Sequence, residues 1–475
     1  QVGDYENMLT GTHDDDAYKF TIAARGVNPI KWITTTTVLL IGTRGAEWYM
    51  GTTESDKPIT ATNVVMKRQS VYGSKHIQTV VAGDAVLFLQ RAGTRLREYV
   101  PDPNSVDKVY VAVDLTLLSE HITDGGIVDI AVQQEPSTVV WSVRADGQLL
   151  GMTYARQQDV VSWHRHTTYD GEDKYKNVAV ITTEDEDELW TVVERTIGGI
   201  PRRYVEVFTP WGWTDTDDFL YLDSGYSTTL SDTYSITGAT QADPVVITTS
   251  VDHGFVDSQL VRINDVVGMS EIDENIYIVA NASGTTFSIK SFDGVDIDGT
   301  AYSAYVSGGE VCRVANEFSD LSNLAGRTVS AVGDGCVIPD IVVDSDGSFN
   351  TSNYVNKLQI GLPYTSKLMP MNIEAGAQVG VAQGKTKKIS KLVVRLQNSM
   401  SCKVGSCEDD LEDILFRPAD GSYDTPVPLF EIGDKEVYAF PSGYETNGDI
   451  LIYNDLPLPL TVVALMPELK TYDVL

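Results

Sequence analysis

One stretch of the chain, from Thr138 to Thr168, constrains the fold more than any other. Val139, Trp141 and Val143 alternate with other side chains, as a strand with one buried face requires. Asp146-Gly147 predicts a type I′ turn, because that turn needs positive φ at both central residues. In order, the predicted elements are a strand from Val139, the Asp146-Gly147 turn, a strand at 149–156, a turn at 157–159 and a strand at 160–166. The stretch therefore predicts three antiparallel strands of one meander sheet.

The same plan, an apolar strand followed by a turn and a second strand, recurs through the first half of the chain. The units begin at Val38, Val86, Val139 and Val178, which are 48, 53 and 39 residues apart. A period of about 40–50 residues with several strands per unit is typical of propeller blades. A face-to-face β-sandwich is the alternative, since the units share a pattern rather than residue identities. One short helix is predicted between units, at Asp114–His121.

The composition of the sequence changes after Phe208, where Pro, Gly and an Asp/Thr-rich segment end the repeats. We predict an all-β fold with a propeller-like repeat domain, a small inserted β-barrel and a C-terminal β-rich domain. The predicted parts are an N-terminally incomplete repeat region at 1–218, a Ser/Thr-rich linker at 219–241, the barrel module at 242–315, and a C-terminal domain at 316–475 that packs back on the repeat region. The start at Gln1, without Met, predicts that the chain is a fragment of a longer protein.

The charge balance restricts the partners of the chain. Its 67 acidic and 35 basic residues give a net charge of −32, which repels nucleic acid phosphates and anionic membranes. Two interpretations stay open, simple solubility or an acidic wall past which DNA slides without sticking. No apolar run approaches the ~20 residues that cross a bilayer, so no membrane-spanning segment is predicted. The four cysteines predict buried free thiols, with local pairing of Cys402 and Cys407 as the alternative.

Two histidines are the first candidate for chemistry. His164 and His166 lie two residues apart on a predicted strand, so they share a face and offer two metal ligands. Asp170 is a conceivable third ligand. The favoured interpretation is an ordinary solvent-facing strand, and we predict no metal site.

Clusters of aspartate are the second candidate. Asp14–Asp16 and Asp344–Gly347 resemble calcium loops only loosely, because the latter has Val355 where an EF-hand loop needs a carboxylate. Turn formation explains both clusters better, and the acidic runs at 184–188 and 408–412 are best explained as solvated turns. The sequence contains no nucleophile elbow, phosphate loop, dinucleotide fingerprint or zinc-protease motif. We therefore predict no catalytic residues, no cofactor and no enzymatic activity.

The order of several motifs adds a resemblance to a known family. The motifs are GDYENM at Gly3, LLIGTRGAEWYM at Leu39, VVMKRQSVYGS at Val64, DLTLLSEH at Asp114, the stretch VVWSVRADGQLLGMTYARQQDVVSWHRH from Val139, YLDSG at Tyr221, GLPYTSKLMP at Gly361 and PLPLTVVALMPEL at Pro457. Together they resemble the tail tubular protein B, or nozzle, family of short-tailed bacteriophages. The segment 244–314 is similar to the small FCCH-like module first described in ubiquitin-activating enzymes, here without ubiquitin chemistry.

The resemblance implies a structural protein of the virion tail. Family members form a hexameric tube below the portal and its adaptor protein, with tail fibres or tailspikes attached nearby. Double-stranded DNA passes through the lumen without specific binding, which an acidic lining would favour. The family carries no catalytic residues, and its members have additional sequence before the GDYENM motif.

Two other classes of function stay open beside the tail tube. The first is a β module of a tail fibre or baseplate that binds host glycans, for which an exposed aromatic cleft near Trp211 and Trp213 would be the sign. The second is a glycan or peptidoglycan hydrolase, which would need two carboxylates at a catalytic separation in a groove.

Overall fold

The computed structural model describes most of the 475 residues. The described residues are 10–11, 16–17, 19–22, 26–52, 57–103, 105, 109–209, 219–374, 376–377, 380–381, 384–416, 431–438 and 440–472. The chain divides into two compact units, Gln1–Trp211 and Gly212–Leu475. In each unit the regular structure is almost entirely antiparallel β-sheet, so the predicted all-β class is confirmed. Within the described residues, no helix has the length and hydropathy that crossing a bilayer requires.

The first unit is a series of small meander sheets, each built from strands that follow one another in the chain. Three sheets have four strands in sequence order, and a further sheet has three. The strands are β1 Ile30–Thr35, β2 Leu39–Thr43, β3 Glu47–Thr52 and β4 Val64–Ser70; β5 Val80–Ala82, β6 Ala85–Leu89, β7 Leu96–Pro101 and β8 Tyr110–Asp114; β9 Ile127–Gln133, β10 Val139–Arg144, β11 Leu149–Ala155 and β12 Val160–His166; and β13 Lys174–Thr182, β14 Asp187–Ile197 and β15 Ile200–Val207. Successive four-stranded meanders confirm the predicted propeller-like character.

Neighbouring sheets of this unit pack face to face through shared hydrophobic clusters. Leu87 of β6 lies in one cluster with Leu150 of β11, and Trp141 of β10 lies in another with Val193 of β14. The middle strands are consequently buried on both faces, and every residue of β6 and β10 is buried. The prediction of a single buried face for β10 is therefore wrong, because the strand has a packed sheet on each side.

The first strands of successive sheets lie side by side, with β5 next to β9 and β9 next to β13. This makes β13 the first strand of the fourth unit and β14 its second. The second strands begin at Leu39, Ala85, Val139 and Asp187, which are 46, 54 and 48 residues apart. The shorter spacing predicted for the fourth unit came from aligning β13 with the second strands of the other units.

The meander at 138–168 forms as predicted, but its first turn has a different geometry. Only Gly147, with φ +100°, takes a positive φ there, so the loop is not type I′. The Gly147 N–H donates to the Arg144 carbonyl over 2.9 Å, and the Arg144 N–H donates to the Gln148 carbonyl over 2.9 Å. These bonds define a three-residue loop that ends in a left-handed glycine. The second turn is a 3-10 segment, Arg156–Gln158, closed by Asp159 at φ +55°.

The helix predicted at Asp114–His121 is shorter and begins later, because α1 spans only Glu120–Thr123. Asp114 ends strand β8, and its carboxylate accepts the Thr116 N–H at 3.0 Å and the Thr116 hydroxyl at 2.6 Å. A side chain that bonds to the backbone in this way favours a turn over a helix. Leu117 and Leu118 follow the turn and are 63% and 94% exposed.

The second unit combines a four-stranded sheet, a barrel and two further packed sheets. Its strands are β16 Asp223–Thr229, β17 Tyr234–Ala239, β18 Val246–Thr249, β19 Leu260–Val267, β20 Asn275–Ser283, β21 Thr286–Lys290, β22 Ser307–Phe318, β23 Thr328–Gly333, β24 Cys336–Val342, β25 Phe349–Val355, β26 Lys357–Leu362, β27 Ser366–Leu368, β28 Gly376–Ala377, β29 Gly380–Val381, β30 Thr386–Ser399, β31 Lys403–Cys407, β32 Asp410–Asp413, β33 Glu431–Tyr438, β34 Leu451–Asn454 and β35 Val462–Tyr472.

The small barrel is closed by six strands. They run in the order β17-β18-β21-β20-β19-β22, and β17 also pairs with β22, which closes the circle. Ile247, Phe287 and Val311 are fully buried inside it. The barrel begins at Tyr234 rather than at 242, and β16 pairs with β26, so the segment predicted as a linker, 219–241, contains two paired strands. Ser and Thr suit the exposed face of a strand as well as a linker, which is why composition misassigned this segment.

The last two large sheets form a sandwich. One has the order β27-β34-β31-β32 and the other the order β33-β30-β35. Leu392 and Val394 of β30 share a buried cluster with Val404 of β31 and Ile452 of β34, so the two inner faces pack on each other. On the outer face of the β33-β30-β35 sheet, the described side chains of β30 and β35 are half-buried or exposed. The segment 361–370 contains Pro363 and Pro370: its first two residues, Gly361 and Leu362, end the central strand β26, and after Pro363 it contributes only the edge strand β27.

Candidate functional site

The two histidines predicted as candidate metal ligands, His164 and His166, are hydrogen-bonded to each other. His164 Nδ1 and His166 Nε2 are 2.8 Å apart, and both rings lie 5.5 Å from the ring of Trp141. A Cβ on Gly151, in the neighbouring strand, would stand 2.1 Å from the His164 ring, so glycine makes room for the pair. Burial lowers the pKa of His164, and burial together with its neighbour lowers the pKa of His166 to about 3. The pair is therefore neutral, with one ring donating and the other accepting.

No cation site surrounds this pair in the described part of the chain. The side chain of Asp170, the conceivable third ligand, lies outside the described residues. Among the residues that the structure does describe, no group of three His, Cys, Asp or Glu side chains is placed to hold a metal ion.

The aspartate clusters divide between described and undescribed parts of the chain. Asp14 and Asp15 lie outside the described residues. In the second cluster the Asp346 carboxylate accepts the Ser348 N–H at 3.0 Å and its hydroxyl at 2.7 Å, and these bonds lower the pKa of Asp346. Gly347 has φ +89°. Asp346 thus closes a tight turn with its own backbone.

The first unit contains buried charged side chains that the sequence did not predict. Arg195 on β14 is 1% exposed and lies 3.1 Å from the buried carboxylate of Asp173. It also forms an ion pair with Glu206 of β15, and its guanidinium stands 5.9 Å from the Tyr204 ring centre. This arrangement holds neighbouring segments together, since each buried charge faces an opposite one.

Glu47 is a second buried charge in this unit. It accepts hydrogen bonds from the hydroxyls of Ser70 and Ser74, while burial raises its pKa. The carboxylate lies next to β4 and a following loop, and both of its oxygens are occupied by those hydroxyls.

All four cysteines are free thiols, and local pairing of Cys402 with Cys407 does not occur. Cys402 is buried, as predicted, whereas Cys407 is exposed near the tip of the β31–β32 hairpin. Cys312 and Cys336 are partly buried.

Two clefts open on the second unit. One, of about 390 Å³, lies beside the barrel and is lined by polar groups and by His253, whose ring stacks 4.7 Å from Phe255. The other, of about 290 Å³, lies on the outer face of the β33-β30-β35 sheet. Lysine and tyrosine side chains dominate its lining: Lys388, Ile389, Ser390, Phe440, Tyr444, Lys470 and Tyr472. We call it the lysine-tyrosine cleft.

Contacts among its walls give the lysine-tyrosine cleft a defined shape. The Lys388 ammonium stands 5.1 Å from the centre of the Tyr444 ring, and the Tyr444 and Tyr472 rings meet edge to face with centres 5.2 Å apart. Tyr444 is 60% exposed and Tyr472 is 45% exposed. A cation beside aromatic faces can receive an anion together with apolar groups. Strand pairing assembles the cleft from three separate segments, so no local motif predicts it.

An exposed apolar edge is the other surface of note in the second unit. Strand β27 is the edge strand of its sheet, and Leu368, Met369 and Met371 at its end are 48%, 54% and 94% exposed. Exposed edges with apolar side chains are sites where another chain can add. Trp211 and Trp213, where the sequence placed a possible glycan cleft, lie outside the described residues.

Comparisons with known proteins identify no family for this chain. No protein-family model and no curated protein matches the chain. Among solved structures, the WD40 domain of Neurospora crassa Pan2 is similar at 9% identity and TM-score 0.23, covering 71% of this chain and 90% of that one. A Bombyx mori GH32 beta-fructofuranosidase mutant, solved in complex with sucrose, is similar at 9% identity and TM-score 0.20, covering 94% and 92%. At these scores neither similarity bears on fold or function, and it is the sheets of the structure itself that define an all-β protein with a propeller-like repeat unit.

Proposed function

We propose that this chain is a structural subunit of a bacteriophage tail, in which copies of it form a ring or tube that double-stranded DNA traverses during ejection. The observation that carries the proposal is the exposed apolar edge at β27, which overlaps the end of the GLPYTSKLMP motif that resembles the nozzle family and continues to Met371 just beyond it. An edge strand with Leu368 and Met371 exposed beside it offers an apolar surface that another chain can cover.

The charge of the chain supports a passive role toward DNA. At a net charge of −32 per subunit, a ring of copies repels the phosphate backbone, so the polymer moves without being held. The portal adaptor above the ring and fibres or tailspikes around it are the further partners that the family resemblance suggests. In this role the protein acts by shape and repulsion and transforms no substrate.

The assembly is tested by native mass spectrometry and negative-stain electron microscopy of the purified chain across a concentration series. We expect closed rings for the wild type, and their loss for Met371→Glu, because a carboxylate on the apolar edge would be buried without a partner. The matched control is Val256→Glu on the barrel, where Val256 is 58% exposed and the module is an insertion. The proposal would be contradicted if the chain were monomeric at every concentration and if antibodies against it did not label a virion tail.

DNA transit is tested separately by filter retention. We expect no retention of double-stranded DNA at 50 mM salt, the condition that favours phosphate contacts. If DNA were retained at 50 mM salt and released at high salt, the proposal that the protein surface repels DNA would be contradicted.

One observation favours the second candidate, a glycan-binding module. The lysine-tyrosine cleft offers two exposed tyrosine rings beside lysines and Ser390, the kind of surface that sugars stack on. A glycan array with the wild type and a Tyr444→Ala variant tests it, and binding that Tyr444→Ala removes would favour this function over the tube.

A further inference from the structure

The lysine-tyrosine cleft contains two lysines, and one carboxylate, that of Glu468, lies at its wall, where it accepts the Ser390 hydroxyl over 3.1 Å. Lys388 on β30 pairs directly opposite Lys470 on β35, so two ammonium groups project from adjacent positions of one sheet face. Their neighbours along the same face are compensated, since Lys391 forms an ion pair with Glu436 at 2.9 Å and Arg395 with Asp434 at 2.7 Å. Within the described residues, neither Lys388 nor Lys470 forms an ion pair.

Such a pairing favours an acidic occupant. Like charges directly opposite each other on adjacent strands destabilise a sheet, and an anion placed between them removes that repulsion. The tyrosine rings at the rim supply apolar walls, so a peptide that carries both carboxylates and an apolar side chain fits the cleft better than a bare anion. In a chain with a net charge of −32, a cluster of this kind is complementary to much of the chain's own surface.

One segment of the same unit has this chemistry. The β31–β32 hairpin presents Asp409, Asp410 and Glu412 as exposed side chains on the edge of the opposite sheet of the sandwich. None of the three forms an ion pair within the described residues, whereas Glu408 beside them is paired with Lys367 at 2.7 Å. Leu415, just beyond β32, is 76% exposed and provides an apolar side chain for the tyrosine rings.

We propose that the lysine-tyrosine cleft of one subunit binds the acidic β31–β32 hairpin of the next subunit. The donor and acceptor surfaces differ, so the contact is head-to-tail, and contacts of that type close into rings when the rotation between copies allows it. This inference rests on the proposed ring and specifies how its subunits recognise one another.

Charge reversal tests the contact in the intact chain. We expect Lys388→Glu with Lys470→Glu to weaken self-association at least tenfold in sedimentation velocity, and Asp409→Lys with Asp410→Lys to do the same. The chain carrying all four changes should regain association to within about threefold of the wild type, because the attraction is restored with its signs exchanged. The matched control is Glu184→Lys with Asp185→Lys, an exposed acidic turn of the first unit that should leave association unchanged.

A cross-link gives a second, direct readout. Cys407 is exposed at the hairpin, so Ser390→Cys places a second thiol in the cleft of the neighbouring copy and leaves both lysines in place. A short bis-maleimide should then give a ladder of dimers and higher oligomers that Cys407→Ser abolishes.

The outcomes separate the contact from the ring itself. Rings that form normally with the lysines reversed would overturn the contact and leave the proposed function standing. No ladder at about 0.1 mM chain together with no rings would overturn both. Binding of dextran sulfate that depends on Lys388 and Lys470, without self-association, would overturn the contact in favour of an acidic polysaccharide.

Discussion

The buried histidine pair makes the stability of the first unit depend on pH. In the folded chain the pKa of His166 is lowered to about 3, because the ring lies among Trp141, Phe208 and His164. In the unfolded chain it returns to about 6.5. The fold therefore favours the neutral ring, and this contribution is fully present above pH 6.5 and is lost progressively as the pH falls toward 3.

The size of the effect follows from the interval that can be measured. The sequence pI is about 4.4, so we stop at pH 5.5 to keep the chain charged and soluble. At pH 5.5 the histidine is protonated in the unfolded chain but not in the folded chain. Because pH 5.5 is one unit below the pKa in the unfolded chain, the free energy of unfolding is lower by about 1.4 kcal/mol. His166 is partly exposed at its edge, so we expect about 1 kcal/mol less stability at pH 5.5 than at pH 7.5 from this residue.

The assay compares urea unfolding of the wild type and His166→Gln at the two pH values, followed by tryptophan fluorescence. Glutamine keeps a hydrogen-bonding group beside His164 but does not titrate, so the variant should lack about 1 kcal/mol of the wild-type pH difference. His121→Gln is the control, because His121 is exposed on α1, and it should behave as the wild type. NMR of chains labelled at histidine Cε1 should show a His166 signal that does not titrate between pH 8 and 5.5. A signal that titrates near pH 6.5, or an unchanged pH difference in His166→Gln, would refute the reasoning.

Three further changes test the packing. Arg195→Met should destabilise the first unit by about 3–5 kcal/mol in the same unfolding assay, because it leaves Asp173 buried without its cation, and a similar stability in the variant would contradict the role of this pair. Gly147→Val should cost more than about 1 kcal/mol, since φ is +100° and a Cβ would stand 2.6 Å from Cβ of Lys174; Gly171→Val, with open space around it, separates the strain from the clash. Phe287→Ala should cost about 3–5 kcal/mol in the barrel, because the side chain is fully buried, and a cost below 1 kcal/mol would show that the barrel collapses around the gap.

The sequence predicted strand positions well wherever a strand and its turn are local. The paired strands β2–β3, β6–β7 and β10–β11 lie where the repeated pattern placed them, because hairpin pairing needs only neighbouring residues. Strand β16 was missed and predicted as part of a linker, because its partner β26 lies more than a hundred residues away. No local pattern records such a partner, so a Ser/Thr-rich strand and a linker have the same appearance in the sequence.

The candidate sites were harder to predict for the same reason. His164 and His166 were recognised as neighbours on one face, but the groups that bury them, Trp141 and Phe208, come from strand β10 and from the residue that follows β15. The lysine-tyrosine cleft needs Lys388, Tyr444 and Lys470 together, and these residues meet only after β35 pairs with β30. Sequence reasoning finds a charge or a ring, whereas the pairing of distant strands decides its neighbours.

Burial patterns nevertheless tell which strands can carry a surface. Strands β6 and β10 are buried along their whole length, so they have no face left for a partner. Strand β30 alternates buried and accessible residues for most of its length, which means that one face packs in the sandwich and the other must meet solvent or another molecule. A substitution of Lys388 on that accessible face therefore leaves the buried face of the strand unchanged. Continuous apolar runs in this chain therefore mark positions where substitutions change stability, whereas only the accessible face of an alternating strand can be substituted without disturbing the core.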